Sequence, residues 1–296
     1  MTADIDLPSL AAPDVVEALD AETIIAALKA QILALMPGLA AVLDLESEPV
    51  TKLIEVCAYR ELLVRARVND AARAVMLATA TGADLDHLAA LFGVARLVVT
   101  PAEPEAVPPV AAVMEADGAL RARTQLALEG FSTAGPRGAY LYHALSADGD
   151  VLDASVISPA PGQVQVTVLS RTGDGTPPPA LVAAVAAVLD DEDVRPLCDQ
   201  VNVQGATITP YAVTASLTMD AGPDPEVARA AAEAAVRAYV TDAHRLGRAI
   251  RLSALYRALH QPGVERVDLA SPAADVLCDA AHAPWCSAVT VTLEDE

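Results

Sequence analysis

VLDASVISPAPGQVQVTVLSRTGDGTPPPALVAAVAAVL, residues 151–189, changes its hydrophobic period part-way and thereby decides the class of fold. Residues 151–157 and 164–169 alternate apolar with polar side chains, the repeat of two that lays one strand face on a core. Between them Ser158-Pro159-Ala160-Pro161-Gly162 supplies turn chemistry, so the two runs predict a strand pair. From Pro177 to Leu189 the pattern turns helical, and residues 200–203 return as a strand, which makes the unit ββαβ.

A related rhythm follows: strand 211–219, helices 224–243 and 253–260, strand 264–269 and a last strand at 287–293. On the first of these helices Arg229, Glu233, Arg237 and His244 are read as the polar side and Val227, Ala231, Ala234, Ala235 and Tyr239 as the apolar one. The recurrence is one of architecture; the two segments share too little sequence to be a duplication. Upstream, residues 117–129 read as a helix, and Gly135-Pro136-Arg137-Gly138 turns the chain into another at 139–145.

Pro101, Pro104, Pro108 and Pro109, each lacking a backbone donor, predict an extended, non-helical connector. Before it the chain is helical. Ile24, Leu28, Ile32 and Leu35 mark one helix face, stopped by Pro37-Gly38. Ser47-Glu48-Pro49 announces a second helix whose apolar positions run from Leu53 to Met76; continued over 49–81 it would be about 50 Å long. Gly82 ends it, Asp84 is the expected N-cap of a helix at 85–92, and Gly93 closes that helix. The expected fold is multi-domain α+β: a helical wedge or dimerisation region at 1–100, a proline-rich connector at 101–116, and α+β modules at 117–205 and 206–296.

Composition narrows the functions open to such a chain. Of its 296 residues 53% are hydrophobic but only 3% aromatic, so cores and interfaces are built from small aliphatic side chains, and base-stacking platforms are excluded. A formal charge of −21 repels phosphate backbones and argues against nucleic acid as a partner. The acidic first twenty residues are unlike a signal peptide. Residues 30–43, broken by Gln31, Pro37 and Gly38, are too short to span a bilayer, so no membrane insertion is expected. Cys57, Cys198, Cys278 and Cys286 are scattered and read as free thiols of a reducing compartment.

Cys278, His282 and Cys286 recur every four positions and could supply three metal ligands, but Pro284 breaks any helix that would align them and no fourth ligand is near; buried thiols beside a packed Trp285 are the expectation. Asp84, Asp86 and His87 read as a helix start, and Asp190-Asp191-Glu192-Asp193 as a hydrated acidic edge without calcium-loop spacing. Glu46 and Glu48 have nothing to fix the separation a glycosidase pair requires. Ser132, Ser146, Ser170 and Ser253 lack a nucleophile elbow, and His143, His244 and His260 lack triad context. No catalytic, cofactor-binding or metal residue is expected, and no cofactor. An enzyme would instead show a converging pocket with a shifted acid.

Three stretches, LESEPVTKLIEVCAYRELLVRARVNDAARAVMLATATGADLDHLAALFGVAR (residues 45–96), TAGPRGAYLYHALSADGDVLDASVISPAPGQVQVTVLSR (residues 133–171) and HRLGRAIRLSALYRALHQPGVERVDLASPAADV (residues 244–276), together resemble the baseplate J-like family of contractile phage tails. They run in family order over nearly the whole chain. The resemblance implies a non-enzymatic wedge subunit that pairs with a second copy and with a smaller tail protein I-like partner. Wedges would then close a ring around the tube and hub, meeting other baseplate, hub and sheath-initiating proteins. It implies assembly in the host cytoplasm and residence in the virion tail baseplate, or in a phage-derived particle such as a tailocin or gene-transfer agent. On this reading the N-terminal helices make one contact and the C-terminal module another, and the prolines at 101–109 are either a static spacer or a hinge.

Overall fold

The computed structural model describes residues 5–220 and 224–294 and divides the chain into two compact units, Met1–Ala95 and Arg96–Glu296.

The first unit is helical, with α1 Ala21–Leu35, the short α2 Ala40–Leu43, α3 Pro49–Ala74 and α4 Gly82–Ala90. Asp20 caps α1, its carboxylate accepting from the N–H groups of Glu22 and Thr23 at 3.3 and 3.1 Å. Pro49 occupies the first turn of α3, where its missing donor costs nothing. α3 stops at Ala74, a rod of about 39 Å instead of one running on to residue 81. Thr79 is part of the stop: its hydroxyl donates to the Arg73 carbonyl at 2.7 Å, capping an acceptor that a continuing helix would have used. Thr81, not Asp84, is the N-cap of α4; Asp84 lies in the first turn, where its charge faces the positive end of the helix. Gly93, at φ +72°, closes the element with Val94 N–H on the Ala89 carbonyl at 3.1 Å.

α1 lies against α3 over a small core that includes Ile24, Leu43, Ile54 and Ala58. The buried Asn69 ties in the chain ahead of α1, giving Nδ2–H to the Glu17 carbonyl at 2.9 Å and accepting the Glu17 N–H at 3.1 Å.

In the second unit, β1 Val98–Thr100 and β2 Val113–Met114 pair antiparallel, and a further bridge joins Glu103 to Val110. The proline-rich segment is therefore the closed loop of a hairpin, not an extended connector. A loop whose two ends are bonded to each other lies off the path of the chain and is no hinge along it. α5 Asp117–Gly130 and α6 Arg137–Ala147 follow.

The first sheet has β3 Val151–Ile157 antiparallel to β4 Gln163–Ser170, and β4 parallel to β5 Gln200–Gly205, the crossover being α7 Pro179–Leu189. Val166, Val168, Leu181, Val185 and Leu189 close its core under Tyr140 and Ala144 of α6. The second sheet centres on β6 Thr207–Met219, with β7 Val264–Ser271 antiparallel on one side and β8 His282–Leu293 parallel on the other. α8 Pro225–Asp242 and α9 Leu252–Leu259 cover Val213, Ala215, Leu217 and Ile250. The buried face of α8 is Ala228, Ala232, Val236 and Val240, one position on from the sequence reading, while Val227 is exposed.

Both long strands start earlier than their apolar alternation suggests because of proline. Pro210 precedes Thr214, where pairing with β7 begins, and Pro284 lies on an edge strand, so neither costs the ladder an essential donor. The edge of β8 is not left open. Its carbonyls at His282, Pro284, Val289 and Val291 accept from Gly247 N–H, His244 Nδ1–H, Arg237 and Arg229, at 3.0, 2.7, 3.4 and 3.4 Å.

The sheets have no linker between them. Ala206 alone separates β5 from β6; it is buried and its N–H reaches the Val168 carbonyl at 2.8 Å. Leu169, Ala206 and Ala283 form a shared core with Leu152, Ile208 and Leu246.

Candidate functional site

The residue types singled out for chemistry are dispersed. His282 starts β8 and binds Asp279 Oδ1 through Nδ1 at 2.6 Å; Cys286 Sγ donates to the Ala288 carbonyl at 3.2 Å; Cys278 precedes the strand. Among the described residues no three His, Cys, Asp or Glu side chains gather where they could hold a metal ion. Both thiols are half-buried rather than buried, and that burial pushes each above the usual thiol pKa, which lowers its reactivity. Trp285 packs edge to face on His244, ring centres 5.1 Å apart.

His244 is buried with Nδ1 on the Pro284 carbonyl, and a Cβ on Gly175 would meet its Nε2 at 2.7 Å, so the ring fastens β8 to the loop after β4. The Ser170 hydroxyl donates to Asp150 Oδ2 at 2.7 Å, Ser146 accepts from Arg123 at 3.2 Å, and His143 Nε2 meets the Gly130 carbonyl at 3.1 Å. These are bonds that hold elements together. Asp84 and His87 are exposed on α4, Glu46 is exposed before α3, and Asp190 to Asp193 form an exposed turn in which Asp190 pairs with Arg195 at 3.0 Å.

The sequence reading missed a buried pair. Arg123 reaches both oxygens of Glu115, Nε to Oε1 at 2.8 Å and Nη2 to Oε2 at 2.6 Å, with both side chains almost wholly buried. Glu115 also accepts Leu97 N–H at 3.2 Å, and Arg96 holds the Glu115 carbonyl and Asp117 at 2.6 and 2.7 Å. The hairpin is thereby pinned to the helix that follows it.

The second feature it missed is a surface. α3 is apolar on two sides. Thr51, Ile54, Ala58 and Asn69 are buried on one. Leu53, Cys57, Arg60, Val64, Arg67 and Ala71 lie on the opposite one in alternating steps of four and three, the spacing of a helix-to-helix seam. Leu53 and Val64 are each 65% exposed, and Val56, Val68 and Val75 beside them are also open. A shallow groove runs along Arg60, Leu63, Val64, Arg67, Val68 and Ala71. The signal was legible as too many apolar residues for a single helix face.

Such features define a protein built for packing and surfaces, a helical unit followed by two fused α+β modules. The chain belongs to the baseplate J-like family: models of its N-terminal, central and C-terminal domains match residues 46–103, 132–205 and 211–292 in that order. It is 51% identical over 288 residues to baseplate protein J of Escherichia phage P2, an alignment covering 96% of this chain and 95% of that protein.

Proposed function

We propose that the chain is a structural, non-enzymatic subunit of a contractile tail baseplate. It builds wedges by pairing with a second copy and with a tail protein I-like partner, and neighbouring wedges close a ring around the tube and hub. The observation that carries this reading is the end-to-end similarity to baseplate protein J of phage P2. The exposed seam of α3 supports the self-association part, because Leu53, Val64 and the neighbouring Val56 and Val68 leave water on pairing while Arg60 and Arg67 can stay at its rim. The N-terminal helices then serve one contact and the C-terminal module another, as a closed ring requires of each subunit. Its place is the virion tail baseplate, reached by assembly in the host cytoplasm, and a tailocin or gene-transfer agent would use the same subunit physics.

Deleting the first unit, residues 1–95, in the producing strain tests the division of labour. Electron microscopy should show tails without complete baseplates, and the shortened chain should no longer self-associate. Normal particles containing the shortened chain would refute it.

A further inference from the structure

A second cleft, of about 640 Å³, opens beside Trp285, and the wedge reading makes no use of it. Its lining includes Arg171, Arg237, His244 and Arg245, and among the described residues no carboxylate lines it. In a chain with 40 acidic residues against 19 basic ones, a cleft lined by three arginines and no acid runs against composition, although Arg237 pairs with Glu233 outside the lining.

Backbone holds two of these arginines in place without neutralising them. Arg171 donates to the carbonyls of Gly149 and Val151, both at 3.1 Å, and Arg245 donates to the Leu152 carbonyl at 3.0 Å. A guanidinium has five N–H donors, so each keeps several uncommitted to those carbonyls. The nearest carboxylates act on them through space and make their hydrogen bonds to other groups: Glu115 to Arg123, Asp150 to the Ser170 hydroxyl, and Asp153 to the N–H groups of Leu246 and Ala154. Arg237, at the exposed edge, shares Glu233 with Arg229. Burial, and after it the charge of Arg245, holds the Arg171 guanidinium below its usual pKa, with Glu115 and Asp150 pulling the other way; an anion between the two arginines would offset their remaining repulsion.

We propose that this cleft is a carboxylate-binding site, with Arg171 and Arg245 as the anion-holding pair, and that it takes the acidic turn of residues 190–193 from a second copy of this chain. The turn is exposed and offers four consecutive carboxylates, of which, among the described residues, Asp190 pairs with Arg195. Planar, doubly donating guanidinium groups suit carboxylate oxygens. The choice of a second copy rests on the self-association proposed above.

Trp285 is the only tryptophan of the chain and lines the cleft, so its emission reads occupancy directly. The full chain would be titrated with a peptide of residues 188–194, with the same peptide carrying Asn and Gln for its acids, and with inorganic phosphate. The acidic peptide should give a saturable change, with affinity at least tenfold above that of the amide peptide. Arg171→Gln should weaken binding at least tenfold. Arg237→Gln, at an exposed position that leaves folding intact, should weaken it severalfold. Equal binding of the amide peptide, no response to the acidic one, or tighter binding of phosphate would overturn the carboxylate assignment. Peptide binding by a chain that stays monomeric at every concentration would overturn the second-copy occupant. Self-association without peptide binding would remove this site and leave the wedge reading standing.

Discussion

Asp153 of β3 accepts the backbone N–H of Leu246 at 2.9 Å, although ninety-three positions separate them in sequence. The same β3–loop junction carries Arg245 Nη1 on the Leu152 carbonyl, and the Ser155 hydroxyl donates to the Ala280 carbonyl. The first sheet is thus bonded at three points to loops of the second module, besides the shared core.

Asp153→Ala should lower stability by about 1–3 kcal/mol, because the Leu246 N–H would lose its acceptor in a confined place. Burial raises the Asp153 pKa above the usual carboxylate value, outweighing the Leu246 N–H and Arg245, which act to lower it. A carboxyl raised in the folded state favours folding most when protonated. Its contribution is complete below the unfolded pKa and is lost as pH rises through the folded one. The wild-type minus Asp153→Asn difference in urea unfolding free energy should therefore fall as pH rises through the acidic range and level off above it.

Arg123→Ala should cost about 3–5 kcal/mol, since it strands the buried Glu115 carboxylate. Glu115→Leu with Arg123→Met should be more stable than either single variant, as neither charge is left alone, though the Leu97 N–H would still lose its acceptor. Denaturant titration of the wild type, the three single variants and the double variant checks the order.

Gly149→Ala and Gly118→Ala should move stability in opposite directions. A Cβ on Gly149 would stand 2.1 Å from the Val98 carbonyl oxygen, a backbone atom held in the hairpin, and the overlap should cost about 1–3 kcal/mol. A Cβ on Gly118, in the first turn of α5, meets nothing within 4 Å, so alanine there should stabilise by up to about 1 kcal/mol through lower unfolded-state freedom. Thermal melts of the two variants settle it.

Val64→Asp, on the exposed seam of α3, should leave the melting transition nearly unchanged, within about 0.5 kcal/mol. It should nevertheless weaken self-association by tenfold or more in sedimentation velocity. Cys57 lies on that seam and is exposed, so mild oxidation should cross-link the wild-type dimer and fail to do so in Val64→Asp.

Where one periodic pattern ran uninterrupted, the sequence was a sufficient guide: the strand pair at Val156 and Val166, the crossover helix ending at Leu189 and the α+β class all stand in the structure. The errors fall where long-range bonds outweigh local preference. Four prolines suggested an open connector, but the pinning comes from Glu115, Arg123 and Arg96, whose partnership leaves no local trace. The end of α3 turned on a hydroxyl reaching back six residues from Thr79. The cleft was illegible for the same reason, since Arg171, Arg237 and Arg245 come from three separate elements. The α3 seam was written in the spacing yet was folded into a single hydrophobic face.

With Ala206 as the whole distance between β5 and β6, there is no slack in which a displacement could be absorbed. Torque applied to the outer strand of one sheet would reach the other through this short joint, as along a lever arm. If the chain serves in a tail baseplate as proposed, a rearrangement at one module would be passed to the next.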